Sequence, residues 1–509
     1  MITNLNTPNK TKTLKEQAIS SGIVTILSQF FKFTITTLST VLLGRLLTPE
    51  DYGLVGMVSV IINFIILFKD IGFSTAIIQR QEITQVQVST LYWINFCFSL
   101  LITLITIIIS PLVSKFYSDS RLELICIVLA LSFFISGLSV IHQSLLKRAM
   151  LFNKIAQIEI ISVSIGVVSA IVLAIFSFGY WSLVLMQVIT SIVNTILTFV
   201  YAKWKPDFRI KIDQELIKMV KFGGNITGFN LLNYFSRNAD NIIIGRFMGA
   251  IQLGFYSRAY NLFMLPINQI NGPVSSVAIP TLSKLTNEPQ RYRKAYIKII
   301  ELLSLFTIPL ILFLMLSSYE IIYIFLGEQW VNAAKVFTFL SILGLVQPIS
   351  NSTGWLFATQ DRTNDQLKWG YVSSLLTILS FIAGIPFGIE GVAASYAVSG
   401  ILIRMPLLLY WVGRKGPIKT IDFYKVLFPK ALCGMLVYII MFFFLQLKFY
   451  IELPVLMKIV VSLFGTFVLF LSFLFVLPGS KGSVENIKLL LHFIIRKFKK
   501  ERVKKVDKL

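Results

Sequence analysis

Along this chain, long stretches of uninterrupted apolar residues are broken at short intervals by a few polar ones, from about Ile19 to Leu477. A bilayer crossing takes roughly 20 helical residues, and about fourteen stretches satisfy that criterion. They are 19–46, 51–78, 86–110, 122–145, 155–177, 179–202, 219–247, 251–281, 295–318, 332–358, 366–387, 390–412, 427–447 and 455–477. Within each stretch the residues are continuously apolar and do not alternate with polar ones. That pattern predicts helices and argues against a membrane β-barrel. The expected fold class is therefore an all-α membrane protein.

The pattern also repeats. Leu43-Gly-Arg-Leu-Leu-Thr-Pro-Glu-Asp-Tyr-Gly is echoed by Ile244-Gly-Arg-Phe-Met-Gly-Ala-Ile-Gln-Leu-Gly, with Gly44, Arg45 and Gly53 falling on Gly245, Arg246 and Gly254 at a constant offset of 201 residues. Each copy reads as a short polar turn between two spans. A second echo sets Phe178-Gly179 before the sixth span against Phe387-Gly388 before the twelfth. Six spans per repeat is an even number, so both halves start from the same side. The repeats are then parallel, related by an axis along the membrane normal. The expected organisation is an N-terminal tail (1–18), a first lobe of six helices (19–202), a linker (203–218) and a second lobe of six (219–413). Two additional helices (427–477) and a tail helix (481–509) follow.

Composition agrees with this reading and adds little to it. Of 509 residues, 55% are hydrophobic and 14% charged, far below the charge content of a soluble domain. The net charge of +23 matters more for where it lies. Lys147, Arg148 and Lys154 fill the fourth connection, Lys203, Lys205, Arg209 and Lys211 the sixth, Lys284, Arg291, Arg293 and Lys294 the eighth, and Arg414, Lys415, Lys419 and Lys425 the twelfth. The intervening connections are poor in basic residues. By the positive-inside rule both termini are expected in the cytoplasm, and the positive charge faces the anionic inner leaflet, which requires no nucleic acid. Lys10, Lys12 and Lys15 precede the first span without a cleavage-site pattern, so that span is expected to be an uncleaved anchor. In the tail, Ile487, Leu490, Leu491, Ile494 and Phe498 share one helical face and basic residues cover the rest, as in a helix lying on the membrane surface. Cys97, Cys126 and Cys433 lie inside spans without ligand spacing and read as packing residues.

Ionisable residues inside spans are functional candidates by default, because lipid makes them costly. Lys32 lies about fourteen residues, or about 20 Å of helix, from either end of the first span. It either faces a wet cavity or neutralises a carboxylate, Asp70 or Asp240. Arg237 and Asp240 are three apart on the seventh span and can pair along one face. Arg258 and Arg404 have no obvious local partner. Glu159 lies towards the cytoplasmic end of its span. Pro266 and Pro273 belong to a set of prolines concentrated in the second half, where each frees a backbone carbonyl. With Asp70 and Glu159 they are the coupling and gating candidates, against a reading as static kinks. The substrate-binding candidates, Lys32, Arg237, Asp240, Arg258 and Arg404, hold more positive than negative groups. That balance suits a phosphate or acidic sugar better than a cationic drug.

Several motifs occur in a familiar order: the Gly-Arg turn leading to Tyr52-Gly53, Phe68-Lys-Asp70-Ile-Gly-Phe, Arg237-Asn-Ala-Asp240-Asn, Pro280-Thr-Leu-Ser and Leu326-Gly-Glu-Gln-Trp330. Together they resemble the polysaccharide transporter family, the O-antigen and colanic-acid type flippases of the multidrug, oligosaccharidyl-lipid and polysaccharide exporter superfamily. The resemblance implies alternating access between two six-helix bundles in the bacterial cytoplasmic membrane. The implied substrate is a polyprenyl-pyrophosphate oligosaccharide, carried from the inner to the outer leaflet. It further implies membrane lipids, a coupling H+ or Na+, and the polymerase and glycosyltransferases of the same pathway as partners. A cation-coupled multidrug exporter of the same superfamily is the alternative. A membrane glycan polymerase or ligase would need acid, base or arginine groups on an outer loop, and the outer connections here are short. The only histidines, His142 and His492, fall on the inner side, and no metal-ligand cluster or nucleotide-binding motif is present. No enzymatic activity and no cofactor are expected.

Overall fold

A computed structural model describes residues 14–66, 73–79, 83–209 and 214–476, without the side chains of 14–23, 25, 26, 75, 76, 79, 214–233 and 235–237. Asp70, the Arg237 side chain and the expected tail helix lie outside the described residues. Among those described, every regular element is helical. Nine helices are long and apolar enough to cross a membrane, or ten if the pair 333–344 and 347–359, bent by 43°, forms one span. This is an all-α, multi-pass membrane protein.

The chain forms two compact units. Residues 1–257 with 325–330 make the first, and 258–324 with 331–509 the second. The first contains α1 (Leu14–Leu46), α2 (Pro49–Ile66), α3 (Phe73–Gln79), α4 (Gln85–Tyr117), α5 (Arg121–Leu138), α6 (Val140–Arg148), α7 (Phe152–Ile175), α8 (Trp181–Ala202) and the start of α9 (Gln214–Ser283). Inside it, α7 packs on α8 and α1, and α4 packs on α5. The α4–α5 seam is small and hydroxylated: Asn95, Ser99, Thr103, Thr106 and Ser110 are all buried. Asn95 Nδ2 donates to the Gly137 carbonyl at 3.0 Å, and Thr103 returns its hydroxyl to the Ser99 carbonyl at 2.8 Å. Lipid gives no hydrophobic drive to bring helices together, so small residues that let backbones approach hold such a seam. Ile108, Leu112 and Ile175 remain well exposed, as bilayer-facing side chains do.

The linker does not leave the first unit at once. Trp204 Nε1 donates to Gln85 Oε1 at 2.7 Å, Gln85 Nε2 to the Lys205 carbonyl at 2.9 Å, and Trp93 Nε1 to the Asp207 carbonyl at 3.0 Å. Residues 203–207 are thus strapped along the start of α4.

The second unit contains the end of α9, α10 (Pro289–Leu316), α11 (Ser318–Leu326), α12 (Ala333–Gly344), α13 (Gln347–Thr359), α14 (Thr363–Gly384), α15 (Gly388–Ser399), α16 (Met405–Gly413), α17 (Thr420–Phe444), α18 (Lys448–Ile451) and α19 (Val455–Val476), except for the last residues of α11. A π-helical turn over Gly400–Arg404 joins α15 to α16. Here α14 packs on α15, α12 on α15, and α17 and α19 on α10. Tyr292 and Tyr296, both buried, are tied to Thr359 and Ser352 by hydroxyl hydrogen bonds of 2.6 and 2.8 Å.

Both sequence echoes have conformational counterparts. The α1–α2 break falls at Leu47-Thr48, and α9, otherwise helical, is broken at Gly249 (φ 82°, ψ 180°), the position 201 residues after Thr48. Gly179 and Gly388, from the Phe-Gly echo, both adopt positive φ, 54° and 71°. A side chain at either would be strained, which is why glycine recurs there. Pro266, Pro273 and Pro280 lie in α9 without non-helical dihedrals, and the break at Gly249 falls in the repeated turn, between the expected spans 219–247 and 251–281.

Candidate functional site

Two copies of the Gly-Arg turn meet inside the first unit. After α1, Thr48 begins α2 with a side-chain cap: its backbone N–H donates to Asp51 Oδ2 at 2.9 Å, and the Asp51 N–H returns to Thr48 Oγ1 at 3.2 Å. Diverting the Thr48 N–H to a side chain releases the Gly44 carbonyl, which it would bind if α1 continued. That carbonyl accepts instead from Trp330 Nε1 at 2.7 Å and Gln329 Nε2 at 2.9 Å. Gln329 Nε2 also reaches the Leu47 carbonyl at 3.0 Å. Trp330 is fully buried. Its ring meets Tyr52 edge-on at 5.4 Å and Phe255 at 6.0 Å, so it touches a neighbour of each repeat glycine, Gly53 and Gly254. Nearby, Arg121 Nη2 bridges Glu50 at 2.6 Å and Asp119 at 2.8 Å.

The charged candidates of this unit occupy two further places. Lys32 Nζ lies 3.4 Å from Glu159 Oε2, with about two fifths of each side chain exposed. Among the described residues this partner of Lys32 is a carboxylate 127 residues away, where the sequence suggested Asp240 or Asp70. Glu159 lies about 10 Å along α7 from its start at Phe152. Asp240 is buried: its Oδ1 accepts the Asn241 N–H at 2.8 Å and its Oδ2 the Tyr256 hydroxyl at 3.1 Å. The hydroxyl belongs to the other side of the Gly249 break, so it ties both arms of α9 together.

In the second unit Arg404, which the sequence leaves without a local partner, has two. Nη1 donates to Thr377 Oγ1 and Nη2 to the Tyr396 carbonyl, each at 2.8 Å, and the guanidinium lies 4.3 Å from the Tyr396 ring centre. The π-turn over Gly400–Arg404 aims it back along its own helix. Arg258 is partly buried and likewise engaged. One intramembrane cation went unread in the sequence. Lys430 of α17 is 2% exposed, donates to the Val426 carbonyl at 3.2 Å, and lies within electrostatic reach of Glu301 on α10. A lysine in an apolar span was signal enough, but α17 stands outside the repeat. Gln329 and Trp330 were legible only as part of a motif.

A family model described as polysaccharide biosynthesis protein matches residues 42–335, more than half of the chain. The chain belongs to this family. The match takes in both copies of the Gly-Arg turn and the whole of the Trp330 segment. The chain is 31% identical to the teichuronic acid biosynthesis protein TuaB of Bacillus subtilis (strain 168) over 413 residues, 78% of this chain and 81% of TuaB. It is 24% identical to the lipopolysaccharide biosynthesis protein WzxC of Escherichia coli (strain K12), over 73% of this chain and 76% of WzxC. Among solved structures, the inward closed conformation of the lipid II flippase MurJ matches with a TM-score of 0.68 at 16% identity, covering 89% of this chain and 98% of MurJ. That likeness is one of fold.

Proposed function

We propose that this protein is a flippase that carries a polyprenyl-pyrophosphate-linked oligosaccharide from the inner to the outer leaflet of the bacterial cytoplasmic membrane. Two parallel lobes alternate in access, and both termini are cytoplasmic. The observation that carries the reading is a coincidence: a polysaccharide-biosynthesis family match over residues 42–335 falls on a chain whose fold matches that of a lipid II flippase over 89% of its length. The chain would act as a transporter without chemistry of its own, between glycosyltransferases that supply the lipid-linked repeat and a polymerase that consumes it.

Lys32 is the residue best suited to meet the anionic end of such a substrate. Its bond to Glu159 is long, at 3.4 Å. A pyrophosphate with more than one negative charge competes effectively for the ammonium, while Glu159 holds the lysine side chain in place between cycles. Arg404, held by Thr377 and Tyr396, is less free to reorient and serves better as a fixed positive field.

The deciding experiment follows lipid-linked oligosaccharide in cells lacking the protein. Build-up in the cytoplasmic leaflet with loss of surface polymer is the expected result. Normal repeat units outside but no polymer would point to a polymerase, and gradient-dependent efflux of cationic drugs on overproduction to the multidrug branch.

A further inference from the structure

The segment 325–330 is covalently part of the chain between α11 and α12, yet it belongs to the first unit. Its seat is specific. The Thr48–Asp51 cap leaves the Gly44 and Leu47 carbonyls at the end of α1 open, and they accept three hydrogen bonds, one from Trp330 and two from Gln329. The indole is wedged between Tyr52 and Phe255, one from each copy of the repeated turn. Leu326, at the other end of the segment, lies against Gly44. The helices that the strap touches follow breaks at equivalent positions, Thr48 and Gly249.

We infer that Gln329 and Trp330 form a releasable latch on the end of α1, and that the strap leaves Gly44 and returns once in every transport cycle. Two features suit a latch better than a static brace. The acceptors are backbone carbonyls at a helix end, which water satisfies when the strap departs, so opening strands no buried polar group. The donors are only a side-chain amide and an indole, on a segment that turns at Gly327, whose φ of 101° glycine adopts without strain. The inference rests on the transport reading above. Gln329 and Trp330 are positioning residues: they hold the junction and touch no substrate.

A reversible cross-link tests this. A Cβ on Gly44 would lie 3.7 Å from the Leu326 Cβ, within the range that a disulfide spans. Gly44→Cys with Leu326→Cys, with the three native cysteines changed to alanine, should cross-link in oxidising membranes and lower surface-polymer export at least tenfold, and reduction should restore it. A cross-linked protein that exports as well as its reduced form overturns the latch, and so does failure of these positions to cross-link at all. In parallel, Trp330→Phe keeps an aromatic ring but removes the indole donor. It should speed labelling of Met57→Cys, a position 1% exposed in this structure, by a membrane-impermeant thiol reagent added from outside. Unchanged labelling counts against the latch. If the flippase reading itself is wrong, the deletion strain shows no build-up of lipid-linked oligosaccharide in the cytoplasmic leaflet, an outcome distinct from both.

Discussion

Gly53 lies against the Ala250 carbonyl so closely that a Cβ on it would overlap that oxygen, and Gly254 meets the Pro49 carbonyl in the same way. The pair is reciprocal: Gly254 and Ala250 stand 201 residues after Gly53 and Pro49. Two copies of one turn thus pack on each other through glycines, as a local two-fold relation requires. Overpacking at such a point costs about 1–3 kcal/mol. Gly53→Ala and Gly254→Ala should each lower the melting temperature in detergent and reduce export. Gly56→Ala, whose added Cβ finds ordinary contact at 3.5 Å with Leu253, should do neither.

Lys32 and Glu159 separate stability from transport. Lys32→Ala should fold and insert at wild-type protein levels, relieved of a charge that lipid makes costly, yet lose most export. Lys32→Arg should keep part of it. Glu159→Gln removes the competitor and should retain substrate binding while slowing turnover. Full export by Lys32→Ala at wild-type protein levels would remove this lysine from the mechanism.

Acid should expose the Asp119–Arg121 bridge. Asp119 lies between α4 and α5, and the hydrogen bonds from Arg121 hold its carboxyl below the ordinary carboxylate range. A group with a lowered folded-state value stabilises the protein above its unfolded value, about 3.9 for aspartate. That contribution is lost as pH falls through the folded value. Melting curves of wild type and Asp119→Asn should therefore differ by a constant amount between pH 7 and about pH 5, and converge below about pH 4. A difference independent of pH down to pH 3 would exclude the bridge as a stabilising element.

Topology is tested by reporter fusions. The basic connections predict cytoplasmic signals at Lys205 and Lys415 and an external signal at Glu328. An external signal at Lys205 would break the parallel repeat, because the linker would then begin on the wrong side.

The elements of this protein were legible in the chain because they depend on local properties. Continuous apolar runs specify helices in lipid, and short polar turns with a capping side chain or a positive-φ glycine specify where they break. Thus the 201-residue offset located both the Thr48 break and the Gly249 break, and the Phe-Gly echo located Gly179 and Gly388. What the tertiary structure decided is which side chains face one another. Lys32 pairs with Glu159 at a separation of 127 residues, Trp330 with Gly44 at 286, and Lys430 lies near Glu301 on another helix. Charge and polarity mark each of these residues as needing a partner in an apolar medium, but do not say which. The choice follows from helix packing, which brings one pair of side chains within about 3 Å and leaves equally eligible ones apart, and no periodicity along the chain encodes that distance.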